Sequence, residues 1–298
     1  MKIVFDIYKK YLMQHLKIFI NLTRLNKPIG FMLLFWPCSW GLAYAYNLNP
    51  NIDLFFYYLI LFFLGSVLMR SAGCIFNDIV DKDFDKKVNR TKNRPIPSNK
   101  ITVANALIYV VILCALAFLI LIQFNFLTIS LGLGSMFLAF AYPYMKRITY
   151  WPQLFLGITF NWGIMMAWAA YNDNISFEII IVYISAIFWT LGYDTIYGAQ
   201  DMSDDEIIGL KSTSIKFKKN IKLFVTLCYL ISFILIFCVM VNFIGVNYFT
   251  LFLFMFFFSL IFQIYKFSAS NPKSCLVAFK FNNISGMMLF LAILTIDY

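Results

Sequence analysis

The chain has 298 residues, of which 62% are hydrophobic, 20% are aromatic and only 13% are charged. Soluble globular proteins carry about 25% charged residues, so this composition excludes that class and indicates a membrane protein with several spanning helices. The formal net charge is +10, but the basic residues are confined to short segments, which is typical of membrane orientation rather than nucleic-acid binding.

The first segment, residues 1–27, contains six basic residues among recurring Ile, Leu and Phe. No small-residue cleavage site follows, so it does not match a secretory signal peptide. The pattern instead predicts an amphipathic helix lying in the membrane interface. We expect residues 28–298 to form a transmembrane bundle and residues 1–298 to form a single domain, because no long polar linker interrupts the chain.

The transmembrane part is predicted to contain nine helices. A spanning helix needs about 20 predominantly apolar residues, and nine runs qualify. These runs are 29–46, 54–76, 101–122, 126–145, 152–171, 177–197, 222–242, 247–267 and 281–297. The fold class is therefore predicted to be all-α and polytopic.

The connections between these runs alternate in charge. One set contains no Lys or Arg: 47–53, 123–125, 172–176 and 243–246. The other set holds nearly all the remaining basic residues: 77–100, 146–151, 198–221 and 268–280. Cytoplasmic loops are enriched in Lys and Arg, so we expect a cytoplasmic N-terminus and an outside Tyr298, in the cell inner membrane.

An acidic stretch follows the second apolar run. Residues 77–85 hold four carboxylates in nine positions. Residues three, four and seven apart share a helix face, so Asn77, Asp78, Asp81 and Asp85 are predicted to point one way and Asp83 the other. Three like charges on one face repel each other, so either a cation sits against them or water covers them.

A second acidic stretch follows the sixth run with the same spacing, at Asp194, Tyr197 and Asp201. Mg²⁺ prefers oxygen ligands and takes one or two carboxylates plus substrate phosphates. The aspartates alone would repel a diphosphate, and Mg²⁺ bound between the two acidic faces would turn this repulsion into attraction. Nearby cations suit the outer phosphate oxygens: Arg90, Lys92, Arg94 and Lys211. Solvated loop helices are the simpler alternative, which the matched spacing disfavours.

Few other residues offer chemistry. The six cysteines are dispersed and form no CxxC pair, so a disulfide or zinc framework is not expected. His15 is the only histidine, which argues against histidine metal sites and histidine acid–base catalysis. Arg70 lies well inside an apolar run; it either faces the bundle interior with a partner or snorkels to the interface.

The motifs NDxxDxxxD and DxxYxxxD resemble those of the UbiA superfamily of intramembrane prenyltransferases. The resemblance extends along essentially the whole chain and is strongest to the 4-hydroxybenzoate branch. The segments that carry it are 24–30, 69–74, 89–95, 142–153 and 208–213, with Cys275, Ala278, Phe279, Asn282 and Asn283 near the C-terminus. Asn26 is a departure, since the branch often has Asp there.

The resemblance implies nine helices around a central cavity, under a cytoplasmic cap of loop helices. It also implies transfer of a polyprenyl chain from polyprenyl diphosphate to the carbon ortho to the hydroxyl of 4-hydroxybenzoate, a membrane step of ubiquinone biosynthesis. Mg²⁺ is the implied cofactor. Its implied site is Asn77, Asp78, Asp81, Asp85, Asp194 and Asp201. Arg90, Arg94, Tyr197 and Lys211 are implied to bind substrate, and Arg147 to bind the acceptor.

Two alternatives are kept. A UbiA-type enzyme with another acceptor, such as naphthoate or haem, is disfavoured by the YPYMKR sequence at 142–147. A secondary transporter would carry acids near the middle of its spans, whereas here they cluster at helix ends. We expect the lipid bilayer as a partner, and neither nucleic acid nor a protein partner.

Overall fold

The computed structural model describes residues 2–88 and 90–296, without the side chains of residues 2–8 and 10–12. This part of the chain contains fourteen α-helices and no β-strand, which confirms the all-α prediction. The helices are α1 (Lys2–Thr23), α2 (Ile29–Leu48), α3 (Ile52–Val80), α4 (Lys82–Asp85), α5 (Val103–Leu121), α6 (Phe126–Ile148), α7 (Pro152–Asn161), α8 (Gly163–Asn172), α9 (Phe177–Gly198), α10 (Met202–Ile207), α11 (Thr213–Lys216), α12 (Ile221–Met240), α13 (Tyr248–Lys266) and α14 (Pro272–Leu294). Asn89 and Tyr298, which the sequence predictions include, lie outside the described residues.

Within the described ranges, nine segments are long and apolar enough to cross a membrane, as predicted. Two of them are composite. The fifth joins α7 and α8 across Trp162, and the seventh continues α12 through a 3-10 turn at Val241–Phe243. Eight predicted runs agree with the observed spans to within about four residues at each end.

The ninth predicted run is wrong at its start. It was placed at 281, whereas α14 begins at Pro272. The Asn271 side chain accepts hydrogen bonds from the backbone N–H groups of Lys273 and Ser274, at 3.1 and 3.3 Å. Proline suits the first helical turn, where its missing N–H would have no partner anyway. Lys273 and Lys280 lower the hydropathy of the first turns of α14, so a search for apolar runs places the start too late.

Short polar residues fix the starts of several other spans. Asn51 accepts a hydrogen bond from the Leu54 N–H at 3.0 Å. Asn125 accepts one from the Thr128 N–H at 2.9 Å and also donates to the Ala169 carbonyl at 2.7 Å. Such caps contribute about 1 kcal/mol each. The second bond of Asn125 also ties the start of α6 to the end of α8.

The helix α2 lies in the middle of the bundle and packs against α3, α8 and α14. Trp40 Nε1 donates to the Gly286 carbonyl at 2.9 Å, and Trp36 Nε1 donates to Asn283 Oδ1 at 2.9 Å. Gly41 faces the Ile164 backbone so closely that a Cβ would overlap it. Small residues let membrane helices approach in this way, and here they bring α2 against α8.

A buried polar cluster joins the last three spans. Gln263 Oε1 accepts hydrogen bonds from Tyr229 Oη at 2.6 Å and from Asn282 Nδ2 at 2.8 Å. Gln263 Nε2 donates to Ser285 Oγ at 2.9 Å. Polar side chains within a bundle find partners across helices, so this cluster fixes the register of α12, α13 and α14.

The helix α1 packs its C-terminal half against the bundle. Ile18, Phe19 and Leu22 join a cluster with Ala72 and Ile75 of α3. The helix predicted for residues 1–27 is thus present, and its placement in the membrane interface stays a prediction. Its docking brings the following residue, Arg24, to the end of α3.

Gly41→Ala should destabilise the protein by about 1–3 kcal/mol, because the added methyl group overlaps backbone atoms of Ile164 that have little freedom to move. Gly134→Ala is the matched control, since a Cβ there meets nothing within 4 Å. That variant should be neutral or more stable by up to about 1 kcal/mol. Unfolding in detergent measures both, and equal stability of the two variants would contradict the packing described here.

Candidate active site

A cavity of about 1860 Å³ lies within the bundle, with walls from α1 to α9 and from α14. Its deep part is apolar and is lined by residues such as Phe62, Leu121, Phe124 and Met166. Its other end is lined by residues of both acidic motifs. The cavity therefore suits a molecule with a charged head and a long apolar tail.

The first motif lies where α3 gives way to α4. Helical hydrogen bonds continue through the junction, since the Asp81 N–H donates to the Asn77 carbonyl at 2.9 Å and the Asp85 N–H to the Asp81 carbonyl at 2.8 Å. The side chains of Asp78, Asp81 and Asp85 are 1%, 2% and 10% exposed, whereas that of Asp83 is 86% exposed. The three buried carboxylates thus share a face that excludes Asp83.

Four cations neutralise the first motif. Arg94 Nη1 donates to Asp78 at 2.9 Å and to Asp85 at 2.8 Å. Arg24 Nη2 donates to Asp78 at 2.5 Å. Asp81 is contacted on one oxygen by Lys146 and on the other by Arg147. These ion pairs offset the electrostatic repulsion expected among the three carboxylates.

Hydrogen bonding in the first motif is nevertheless incomplete. Burial raises the pKa of the Asp81 carboxyl above its ordinary value; Lys146 and Arg147 oppose this shift and Asp85 adds to it. Asp78 Oδ2 is buried without a hydrogen-bond partner in the described structure. The site therefore retains carboxylate oxygens that a further cation could satisfy.

The second motif faces the cavity from the end of α9. Arg90, in the loop that follows the first motif, binds Asp201 through Nε at 2.8 Å and Nη2 at 2.5 Å. Its Nη1 donates to Tyr197 Oη at 3.4 Å, and the Tyr197 ring lies 4.5 Å from the Phe279 ring. A bidentate arginine pair is a strong, oriented contact, and this one joins the loop of one motif to the carboxylate of the other.

Asp194 of α9 and Arg70 of α3 are charged groups on the cavity wall. Neither side chain makes a hydrogen bond or a salt bridge with another residue among 2–88 and 90–296. The Arg70 guanidinium lies 5.2 Å from the Phe160 ring, and a Cβ on Gly30 would come within 2.9 Å of its Nε. Arg70 thus faces the bundle interior, and the glycine leaves room for it.

The remaining predicted residues lie in different places. Asn77 and Lys211 line the cavity, and Lys211 Nζ donates to the Ile148 carbonyl at 3.2 Å. Arg147 does not contribute to the cavity wall. Its Nη2 donates to the Val80 carbonyl at 2.8 Å.

Three site residues were not assigned from the sequence. Arg24 and Lys146 contact motif carboxylates. Asp205 lines the cavity one helical turn after Asp201. Burial, with the charge of Asp201, raises the pKa of Asp205 to about 6. The spacing of four residues from Asp201 was the available signal for Asp205.

The donor set fits Mg²⁺ in chemistry, because it consists of carboxylate and amide oxygens. Within the described ranges, no three acidic, cysteine or histidine side chains gather closely enough to hold a metal by themselves. Mg²⁺ usually binds one or two protein carboxylates, and substrate phosphates and water complete its coordination. Asp81, Asp85 and Asp194 line the cavity and could provide such partial ligation, whereas Asp78 does not line it.

Arg94→Ala should lower the free energy of unfolding by about 2–3 kcal/mol, because it strands the buried carboxylate of Asp85 while Arg24 still contacts Asp78. Lys218→Ala is the control: its pair with Glu206 is about half exposed, with side chains 52% and 48% accessible. That variant should cost about 1 kcal/mol or less. Similar losses in both would show that the buried pairs are not special.

The family model described as "UbiA prenyltransferase family" matches residues 34–286. Among curated relatives, the Bos taurus protein named "4-hydroxybenzoate polyprenyltransferase, mitochondrial" is 40% identical over 282 residues, which cover 92% of this chain and 74% of the relative. The Rattus norvegicus protein of the same name is 44% identical over 205 residues, or 68% of this chain. That match spans only 54% of the rat protein.

Among solved structures, a UbiA homologue from Archaeoglobus fulgidus described as bound to GPP and Mg²⁺ has a TM-score of 0.70 at 16% identity. The match covers 93% of this chain and 99% of that one, which establishes a shared fold. The family match takes in most of the spanning helices and both acidic motifs. The chain therefore belongs to the UbiA prenyltransferase family.

Proposed function

We propose that the protein transfers a polyprenyl chain from polyprenyl diphosphate to the carbon ortho to the hydroxyl of 4-hydroxybenzoate, a membrane step of ubiquinone biosynthesis. The observation that carries this proposal is the cavity that joins two acidic motifs at one end to an apolar interior at the other. The names of the relatives supply the acceptor.

The proposed head-group site is formed by Asn77, Asp78, Asp81, Asp85, Asp194 and Asp201, and Asp205 extends it. When bound there, Mg²⁺ would neutralise the diphosphate and make it a better leaving group. Arg24, Arg90 and Arg94 now neutralise these carboxylates. The same arginines, with Lys211, suit phosphate oxygens once metal charge takes their place on the aspartates.

The proposed reaction breaks the bond between the prenyl carbon and the diphosphate oxygen and forms a carbon–carbon bond to the ring. The diphosphate leaves with the electron pair of the broken bond, and the ring then loses its ortho proton to the released diphosphate. Aromatic side chains along the cavity can shield the developing allylic cation through their π faces. Asp194 lies on the cavity wall without a hydrogen bond or salt bridge to a described residue. In addition to its proposed role in the head-group site, we assign it a contact with the acceptor hydroxyl. Arg70 makes no salt bridge in the described structure and lies inside the bundle, so we assign it the acceptor carboxylate.

We further propose that residues 1–298 form one UbiA-like domain in which α4, α10 and α11 contribute to a cap on the cytoplasmic side, where the active site lies. The charge asymmetry of the loops supports this orientation. The compartment first expected, the cell inner membrane, is not supported by the relatives, which are named mitochondrial. We therefore propose only the orientation, in which the basic loops lie on the inner side of the membrane.

Purified protein, Mg²⁺, a polyprenyl diphosphate and a panel of aromatic acids should give a prenylated product from 4-hydroxybenzoate. Mass spectrometry with a ring-deuterated acceptor should show loss of one ortho deuteron. The matched control acid is benzoate, which lacks the activating hydroxyl. Prenylation of 1,4-dihydroxy-2-naphthoate in preference to 4-hydroxybenzoate would contradict the assigned acceptor.

Asp81→Ala and Asp201→Ala should each reduce turnover by at least about 100-fold, because each removes a carboxylate from the metal–diphosphate site. Asp83→Ala should change turnover less than about threefold, since that side chain projects into solvent. Initial rates at saturating substrate measure both effects. A comparable loss in Asp83→Ala would refute a site built on one face of the motif.

Single cysteines at Asn93 and Asn172, in a cysteine-free background, should be labelled from opposite sides of the membrane. The first position lies in a basic loop, and the second is the last residue of α8, beside a connection without Lys or Arg. Basic loops stay on the inner side. Impermeant maleimide applied to oriented vesicles makes the measurement. Labelling of both cysteines from the same side would refute the nine-span topology.

A further inference from the structure

Arg147 is the site residue whose contacts differ most from its expected role. Its Nη2 donates to the Val80 carbonyl at 2.8 Å and to Asp81 Oδ1 at 3.2 Å. Its guanidinium carbon lies 5.0 Å from the Phe84 ring and 5.5 Å from the Tyr144 ring. The guanidinium is thus held by a carbonyl, a carboxylate and two aromatic rings.

These partners belong to both sides of one junction. Val80 is the last residue of α3, and the final carbonyls of a helix have no partner within it and carry its negative end. Asp81 separates α3 from α4 with φ −92° and ψ 4°. Phe84 belongs to α4. One guanidinium therefore contacts the end of α3, the linking residue and the short helix beyond it.

Arg147 is also turned away from where an acceptor would bind. It does not line the cavity, whereas the neighbouring Lys146 does and binds the other oxygen of Asp81. Arg147 Nε is buried and has no hydrogen-bond partner in the described structure. A carboxylate inside the cavity would therefore meet other cations before it reached Arg147.

We propose that Arg147 is a positioning residue that holds the α3–α4 junction, so that Asp81 is presented to the cavity between Asp78 and Asp85, and that it does not bind the acceptor carboxylate. A planar guanidinium can donate to a carbonyl and a carboxylate at its edge while its faces stack on rings. A lysine ammonium offers no such plane. The proposal rests on the proposed function, and it differs from the acceptor role that the family resemblance implied.

The test compares Arg147→Ala and Arg147→Lys with Lys273→Ala, which removes one positive charge at the exposed start of α14. Two quantities are measured at equilibrium: the Mg²⁺ concentration that gives half of the thermal stabilisation seen with a polyprenyl diphosphate, and the Kd for 4-hydroxybenzoate. Melting temperatures without ligand identify any variant that fails to fold. Arg147→Lys retains the charge, so it remains informative if Arg147→Ala does not fold.

Arg147→Ala and Arg147→Lys should both raise the required Mg²⁺ concentration by about 10-fold or more, as loss of a residue that orients a metal ligand does. The Kd for 4-hydroxybenzoate should change by less than about twofold in both variants, which corresponds to about 0.4 kcal/mol. The reason is that Arg147 does not contact the acceptor in the proposed arrangement. Lys273→Ala should leave both quantities unchanged. In an Asp81→Asn background, Arg147→Ala should add little to the Mg²⁺ requirement, because the two residues act as one unit.

A Kd for 4-hydroxybenzoate that rises about 10-fold in Arg147→Ala, with the Mg²⁺ requirement unchanged, would overturn the proposal. Full additivity with Asp81→Asn would also overturn it. If the wild-type protein itself shows no stabilisation by Mg²⁺ and diphosphate, the proposed function fails, and the role of Arg147 fails with it. A normal wild-type response with a defect confined to the acceptor refutes only the role of Arg147.

Discussion

Burying several carboxylates at one edge of a membrane bundle requires opposite charge beside them. Asp78, Asp81 and Asp85 are nearly inaccessible, and an unpaired buried carboxylate is far more costly than a solvated one. The chain meets this requirement with cations brought from distant segments. Arg24 comes from the link between α1 and α2, and Arg94 from the loop after the first motif. These ion pairs hold together a site whose carboxylates would otherwise repel one another.

The packing of the surrounding helices places those cations next to the carboxylates. Docking of α1 on α3 places Arg24 against Asp78, and the end of α6 supplies both cations that contact Asp81. The backbone of Lys146 also accepts a hydrogen bond from the Lys211 N–H at 2.8 Å. The end of α6 therefore contacts both the first motif and the loop after the second. With Mg²⁺ and diphosphate bound as proposed, the metal would contact the aspartates and the cations would contact phosphate oxygens.

Sequence patterns predicted the parts of this structure that depend on local composition. Hydropathy placed eight spans closely, because apolar length is what a bilayer selects. It missed the start of α14, where Lys273 and Lys280 lie in the helix. It also missed the interruption at Trp162, because a single residue between two helices leaves the apolar content of the run unchanged.

The candidate site divides in the same way. Helical spacing predicted which aspartates share a face and that Asp83 points away, since that depends on neighbours within two turns. It did not predict that Arg24 pairs with Asp78, 54 positions along the chain, or that Arg147 turns from the cavity toward Val80. Those contacts depend on how helices dock, which composition does not encode.

We propose that the acidic cluster gives up its internal ion pairs when it binds metal and diphosphate. Equilibrium binding of a polyprenyl diphosphate to the purified protein, titrated with and without Mg²⁺ and in the absence of any acceptor, tests it most directly. Binding should be at least about 100-fold tighter with Mg²⁺, because the metal would bind aspartate and phosphate oxygens at the same time. Equally tight binding after complete removal of divalent metal would contradict it.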